Sequence, residues 1–301
     1  MALPWNPEEI PKAPLDEVKD SPEVNSFWRA FFENKLALIG VVVLIFILVF
    51  CFLGPFIYRT DQTSGNILIA NQAPSLHHLL GVDENGFDQL GRLMVAGQAS
   101  LEVGIAAAVL GTLFGVLYGA ISGFFGGLLD GLMMRIVDGA LAIPSLLLLI
   151  VLASIVTPTV PLLILIVSAL AWFVPSRLVR AEALTLRSRE YVEAARTVGS
   201  RSPRIILLHI IPNAVGTIVV NATFQVADAI ILIAYLSFLG FGVPPPATNW
   251  GAMLSGGLNY AIAGDWWLIY GPGVAIILTV VSFNFIGEGL RDAFEVRSRT
   301  R

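Results

Sequence analysis

Lysine is scarce in this chain: Lys12, Lys19 and Lys35 are the only three in 301 residues, and none follows a glycine. A phosphate loop that grips nucleotide needs a Gly-Lys step, because backbone amides and a lysine ammonium wrap the phosphates together. The chain therefore holds no phosphate-loop motor of its own. Cysteine is scarcer still. Cys51 is the single copy, which excludes a disulfide or a cysteine metal site within one chain, and its place in an apolar run reads as small filler. Of three histidines, His77 and His78 fall in a polar stretch and His209 at the edge of an apolar run. None is placed to serve a membrane-buried serine as base, and no G-x-S-x-G occurs, so the sequence offers no catalytic site. The His77-His78 pair reads as polar loop, not as a metal site. Charge is low too, at 13% of residues against about 25% in average soluble proteins.

Apolar sequence fills the gap. Hydrophobic residues make up 56% of the chain and the mean hydropathy is +0.78. Runs of about 18 or more nearly uncharged residues can cross the roughly 30 Å hydrocarbon layer as helices. Six such spans are expected, at approximately 36–58, 100–123, 136–156, 160–176, 213–240 and 266–288, which makes the chain an all-α membrane protein. Lys and Arg gather on the cytoplasmic side of short loops. With both termini inside, sixteen of the eighteen basic residues are cytoplasmic and only Arg59 and Arg92 lie outside.

The organisation follows from these spans. Residues 1–26, rich in Pro, Asp and Glu, read as a disordered cytoplasmic tail. Residues 27–58 comprise an interfacial helix and the first span, since Phe27, Trp28, Phe31 and Phe32 share one side of a helix beside Arg29 and Lys35. An external loop at 59–99, a five-span core at 100–290 with a cytoplasmic loop at 177–212, and a basic tail at 291–301 complete it.

The cytoplasmic loop contains EYVEAARTVGSRSPRIILLHIIPN at 190–213. Ser188 can cap a helix there, Glu190 suits its positive end, Gly199 suits the position after its last turn, and Pro203 stops it. Tyr191, Ala194, Ala195 and Val198 fall on one apolar face at i, i+3, i+4, i+7. So short a helix needs a receiver for that face, either a groove on a soluble partner or the chain's own spans. Physics alone leaves both open.

Glu193-Ala194-Ala195, Gly199 four residues later, and Ile210-Ile211-Pro212 after a fixed gap resemble the EAA loop of ABC importer permeases. Asn34 to Leu38, Leu80 to Gly86, Met134 to Asp138 with Ile143-Pro144, Leu236 to Val243 and Gly289 to Ala293 extend the likeness to the second permease subunit of peptide and nickel importers. Ile211, His209, Phe87, Gln98 and Ile233 depart from the family pattern. The resemblance implies a type I ABC importer permease-like fold with a short cytoplasmic coupling helix, in which Tyr191, Glu193, Ala194, Ala195, Val198 and Gly199 form the ATPase-coupling surface. It further implies a homologous second permease, two ATPase subunits that bind the ATP and Mg, an external solute-binding protein, and a peptide cargo carried across the bacterial cytoplasmic membrane. The chain itself would hold no cofactor, and nucleic acid plays no part.

Two spans carry internal patterns. Gly111, Gly115, Gly119 and Gly123 make a side-chain-free groove along the second, which another helix can approach closely. Thr217, Asn221, Gln225 and Asp228 make a polar stripe on the fifth, with Tyr235 on the same side. Lipid penalises such a face. It reads either as the lining of a translocation pathway, with Asp228 attracting a peptide ammonium, or as a hydrogen-bond ladder between subunits. Asp138 is expected to pair with Arg135, Pro144 and Pro175 to bend spans three and four, Gly242–Trp250 to form an extended link, and Trp250, Trp266 and Trp267 to mark the external interface. A rival reading makes the chain an autonomous ion-coupled transporter or channel using Asp228.

Overall fold

A computed structural model describes residues 22–299, and among these no strand forms. The chain runs through α1 (Pro22–Glu33), α2 (Lys35–Phe52), α3 (Gly54–Ile57), α4 (Gln89–Phe125), α5 (Gly127–Leu141), α6 (Ser145–Ser154) and α7 (Val160–Ala171). It continues as α8 (Phe173–Leu186), α9 (Glu190–Thr197), α10 (Ser202–Ile205), α11 (Ile211–Asn213), α12 (Val215–Leu236), α13 (Trp250–Ala261) and α14 (Trp267–Arg299). Four helices, α2, α4, α12 with its continuation to Phe241, and α14, are long and apolar enough to cross a membrane. The bent pairs α5–α6 and α7–α8 raise the number to six when each counts as one span. The fold is all-α, as expected.

Side-chain caps set several starts. Asn34 Oδ1 accepts from the Ala37 amide at 3.1 Å to open α2, and Asp88 Oδ1 accepts from the Gly91 amide at 2.8 Å to open α4. The latter lies well ahead of the expected residue 100, so the end of the external stretch is already helix. Of the expected 1–26 tail, residues 1–21 lie outside the described residues, whereas Pro22 onward is helical. At the other end, α14 carries the expected tail as helix through Arg299.

The third span breaks by 81° where Pro144 precedes α6, as its missing N–H and its effect on the preceding residue dictate. The fourth bends by 41° at Trp172, not at Pro175. Pro175 occupies the first turn of α8, where an amide has no intrahelical acceptor in any case, so the ring is accommodated there.

The glycine groove of α4 receives this chain's own α7–α8. A Cβ on Gly111 would lie 2.6 Å from the Ala171 Cβ, one on Gly115 2.6 Å from the Trp172 carbonyl oxygen, and one on Gly123 2.6 Å from the Arg180 carbonyl oxygen. On Gly119 it would collide with the Ser176 carbonyl oxygen. The contact has almost no width to spare, so backbone dispersion across it replaces lipid contact.

Trp250 corrects an expectation. It is 1% exposed, with Nε1 donating to the Leu93 carbonyl at 3.0 Å, and packs in the core with Cys51, Leu101 and Ile230. Its indole N–H finds a buried acceptor, so the ring gains nothing from the interface. Trp267 is buried too, which leaves Trp266 as the exposed one of the three. The link before Trp250 is irregular, with a turn at Pro245-Pro246, and is not one extended strut.

Candidate functional site

The helix α9 has one fully buried residue to seat it on the bundle. Val192 is 0% exposed and packs with Ala120, Phe124, Ala183, Ile205 and Ile210, and half-buried Ala195 joins the same cluster. Tyr191 and Val198 are 41% and 81% exposed, and Ala194 and Glu193 are exposed with them. The apolar stripe read from the sequence therefore splits in two. Val192 and Ala195, at i and i+3, face inward; Ala194 and Val198 face away from the bundle, and Tyr191, also exposed, has its ring 6.2 Å from that of His209.

Both ends of α9 are set by backbone geometry. Arg189, extended at φ −77° and ψ 144°, takes the capping position assigned to Ser188, whose hydroxyl instead donates to the Thr185 carbonyl at 3.0 Å. At the far end Gly199 adopts φ 80°, its amide bonds to the Arg196 carbonyl at 2.9 Å, and the Ser200 amide reaches the Ala195 carbonyl at 3.0 Å. This paired closure is the Schellman arrangement, which the left-handed glycine makes possible. Arg196 lies over the Phe124 ring at 4.7 Å, and Arg187 Nη1 donates to the Gly123 carbonyl at 3.2 Å, so two cations secure the loop against the end of α4. Beside them opens a groove of about 470 Å³ lined by Phe125, Arg187, Glu193, Arg196 and Ser202.

Two Arg–Asp pairs tie α5 to α8 nearby. Arg180 holds Asp130 through both oxygens at 2.5 and 2.6 Å, and the Ser122 hydroxyl donates to the same carboxylate. Asp138 pairs with Arg177 at 2.5 Å and not with the expected Arg135, which is exposed. An i,i+3 pair was geometrically available to Asp138, but the close packing of α8 on α5 brings the Arg177 guanidinium to the carboxylate instead.

The polar stripe of α12 divides along its length. Thr217 donates to Glu182 of α8 at 2.7 Å, and buried Gln225 donates to the Ala171 carbonyl at the end of α7 at 2.7 Å. Asn221, between them, is half-buried with its Oδ1 unpartnered. Asp228 and Tyr235 are exposed and without a partner among the described residues. The lower stripe thus bonds within one chain, and its upper end is open.

On the opposite side, loop residues lacking any sequence period form an ordered network. Asp83 Oδ1 accepts from the amides of Asn85 and Phe87 at 3.0 and 2.8 Å, and its other oxygen lies 3.7 Å from Arg92 Nε. Arg92 also stacks over Phe87 at 4.1 Å and donates to the Pro246 carbonyl at 3.1 Å, joining loop, α4 and the link. Burial pushes the carboxyls of Asp83 and Glu84 above the ordinary carboxylate range. His78 Nδ1 meets Asp88 Oδ2 at 2.9 Å, and no group of three ligating side chains suited to a metal occurs among the described residues. The departures from the family pattern are likewise absorbed: Phe87 under Arg92, Gln98 donating to the Cys51 carbonyl at 2.7 Å, and Ile233 in the core.

The family described as binding-protein-dependent transport system inner membrane component matches residues 115–300, and that described as the N-terminal TM domain of oligopeptide transport permease C matches residues 25–74. The chain is 39% identical to the oligopeptide transport system permease protein OppC of Bacillus subtilis, with 94% of each chain covered. It is 36% identical to the dipeptide transport system permease protein DppC of the same organism, covering 90% of this chain and 85% of that one. Long apolar helices, a surface-mounted helix at the loop between the fourth and fifth spans, and these matches agree: the chain is a multi-pass inner-membrane protein and belongs to the binding-protein-dependent transport system inner membrane component family of permeases.

Proposed function

We propose that this chain is the permease subunit of an ATP-driven importer that moves di- or oligopeptides across the bacterial cytoplasmic membrane by alternating access. The observation that carries this reading is the outward face of α9: Tyr191, Ala194 and Val198 are exposed while Val192 anchors the helix from behind. A helix so mounted transmits force. The ATPase subunits hold the ATP and Mg, close on nucleotide, and push or pull α9; Val192 and Ile205 pass the motion to α8, and the close α4–α8 contact keeps those helices together.

The partners are a homologous permease, two ATPases and an external solute-binding protein that delivers cargo to the outer face, with both termini of this chain cytoplasmic. The names of the relatives support a peptide cargo. Open Asp228 and the unpartnered Asn221 oxygen support a pathway along α12, where a carboxylate would attract the ammonium end of a peptide. Uptake by the reconstituted complex tests the reading. Glu193→Lys combined with Gly199→Trp abolishes ATP-driven peptide uptake while the chain still inserts. Intact assembly and uptake in that variant, or ion-driven flux through this chain alone in liposomes, would overturn it.

A further inference from the structure

Glu102 is the single acidic residue of α4, and it is exposed. The rest of the helix is engaged on three sides: Gly104 lies against Ile230 of α12, Gly111 against Ala171 of α7, and Gly97 against Cys51 of α2. At roughly 100° per residue Glu102 stands about 200° round the helix from Gly104, so it points away from α12, on the flank left open between α2 and α7. Ile105, Val109 and Leu113 share that flank and are 38%, 49% and 58% exposed. No hydrogen bond or ion pair reaches the Glu102 carboxylate among the described residues.

The depth of this carboxylate follows from α2. Its 18 residues rise about 27 Å, close to the hydrocarbon thickness, and begin at Lys35, which marks one boundary of the apolar layer. The charged turn of α14 marks the same boundary, because Asn34 Nδ2 donates to Asp292 Oδ2 at 2.9 Å. Near the opposite end of α2, the Cys51 carbonyl accepts from Gln98 Nε2 at 2.7 Å and so levels Gln98 with it. From Gln98, α4 runs back antiparallel to α2, and Glu102 is one turn further along. It therefore lies about 18 Å from the Lys35 boundary and about 12 Å from the nearer one, well inside the apolar layer.

Lipid is a poor occupant of that flank. A carboxylate at such depth is penalised by hydrocarbon, and a glutamate stem is too short to carry it to the headgroups. Water fits no better. The open side of α12 has Asn221, Asp228 and Tyr235 in succession, as a wet path would, whereas the neighbours of Glu102 are large and apolar. Nor does this chain answer the charge. Of the two arginines toward the nearer boundary, Arg92 is held by Asp83 and the Pro246 carbonyl, and Arg59 Nε donates to the Phe56 carbonyl. An apolar helix surface with one polar group set into it suits another spanning helix that brings the complementary group.

We propose that this flank of α4 is the contact surface for the homologous permease, and that Glu102 accepts there from a cation or hydrogen-bond donor carried on one of that subunit's spanning helices, an inference that rests on the reading that a second permease pairs with this chain. Ile105, Val109 and Leu113 supply the dispersion contact. The carboxylate sets the register, because a lone polar pair in an apolar seam can meet at one level only.

Purification of the assembled transporter through a tag on this chain, with the recovered second permease measured, tests this. Glu102→Leu is expected to lower that recovery at least about tenfold. Insertion, and thermal unfolding of the chain alone in detergent, stay at or above the wild-type level, since Glu102 bonds to nothing within the chain. Recovery equal to wild type overturns the proposal and returns the flank to lipid. A photo-crosslinking amino acid at Val109 is expected to capture the second permease; adducts with lipid alone, or with this chain's own helices alone, overturn it. Ile105→Cys in a Cys51→Ala background should resist a membrane-impermeant maleimide in the assembled transporter, and labelling would place water there and overturn it equally. A wild-type chain that brings no second permease out of the membrane removes the underlying reading and the proposal with it, and that failure shows before any variant is made.

Discussion

The Ser176 carbonyl oxygen occupies the space where a Cβ on Gly119 would have to sit. The contact couples α4 to α8, and α8 leads directly into the loop that mounts α9. Overpacking of this kind costs about 1–3 kcal/mol. Gly119→Ala therefore lowers the thermal unfolding temperature in detergent. Gly131 is the control: nothing lies within 4 Å of its would-be Cβ, and it sits inside α5. Gly131→Ala is neutral or stabilising, by up to about 1 kcal/mol through helix propensity. Equal effects at the two positions would contradict close α4–α8 packing.

The two Arg–Asp pairs differ in burial, and their removal should differ in consequence. Asp130 is buried and gripped by Arg180 through two oxygens, whereas Asp138 and Arg177 are about half exposed. Arg180→Ala leaves a buried carboxylate short of partners and costs about 1–3 kcal/mol. Arg177→Ala removes a screened pair and costs at most about 1 kcal/mol. Denaturant titration of both variants, with Asp130→Asn closing a double-mutant cycle, measures the difference. A null coupling between 130 and 180 would remove the clamp.

Asp83 gives the loop before α4 a pH dependence. Its folded-state pKa is raised by burial above the unfolded value, so the folded chain binds this proton more tightly. The contribution to stability is complete below the ordinary carboxylate range of about 4 and is lost as pH rises through the raised value. Asp83→Asn keeps an acceptor for the Asn85 and Phe87 amides but does not titrate. Melting curves across pH should show the wild type losing stability relative to this variant as pH rises from about 4. Parallel curves would show that Asp83 does not titrate with a raised pKa.

The spans were legible because hydropathy alone determines what lipid will hold, and Pro144 foretold a bend of 81°. The groove of α4 was visible in its glycines, though not the identity of its occupant, since small residues invite any close neighbour. The helix α9 was legible through Glu193, Ala194 and Gly199, but its anchor was not. Counting i, i+3, i+4, i+7 from Tyr191 steps over Val192, which begins a second stripe one residue away. Trp250 and Asp138 misled for a related reason: sequence shows local neighbours, and both residues are satisfied from distant ones, Leu93 and Arg177. The Asp83–Arg92 network left no period to read, because loop structure built on backbone amides and a single cation has none.

The central claim is that α9 presents Tyr191, Ala194 and Val198 to a partner while Val192 holds it to the bundle. A photo-crosslinking amino acid placed at 194 and, separately, at 192 in the assembled transporter tests it directly. The account predicts that position 194 captures an ATPase subunit, with a yield that changes when nucleotide is added, and that position 192 reacts only within its own chain. Capture of an ATPase from 192, or reaction of 194 solely with this chain's own helices in every nucleotide state, would contradict it.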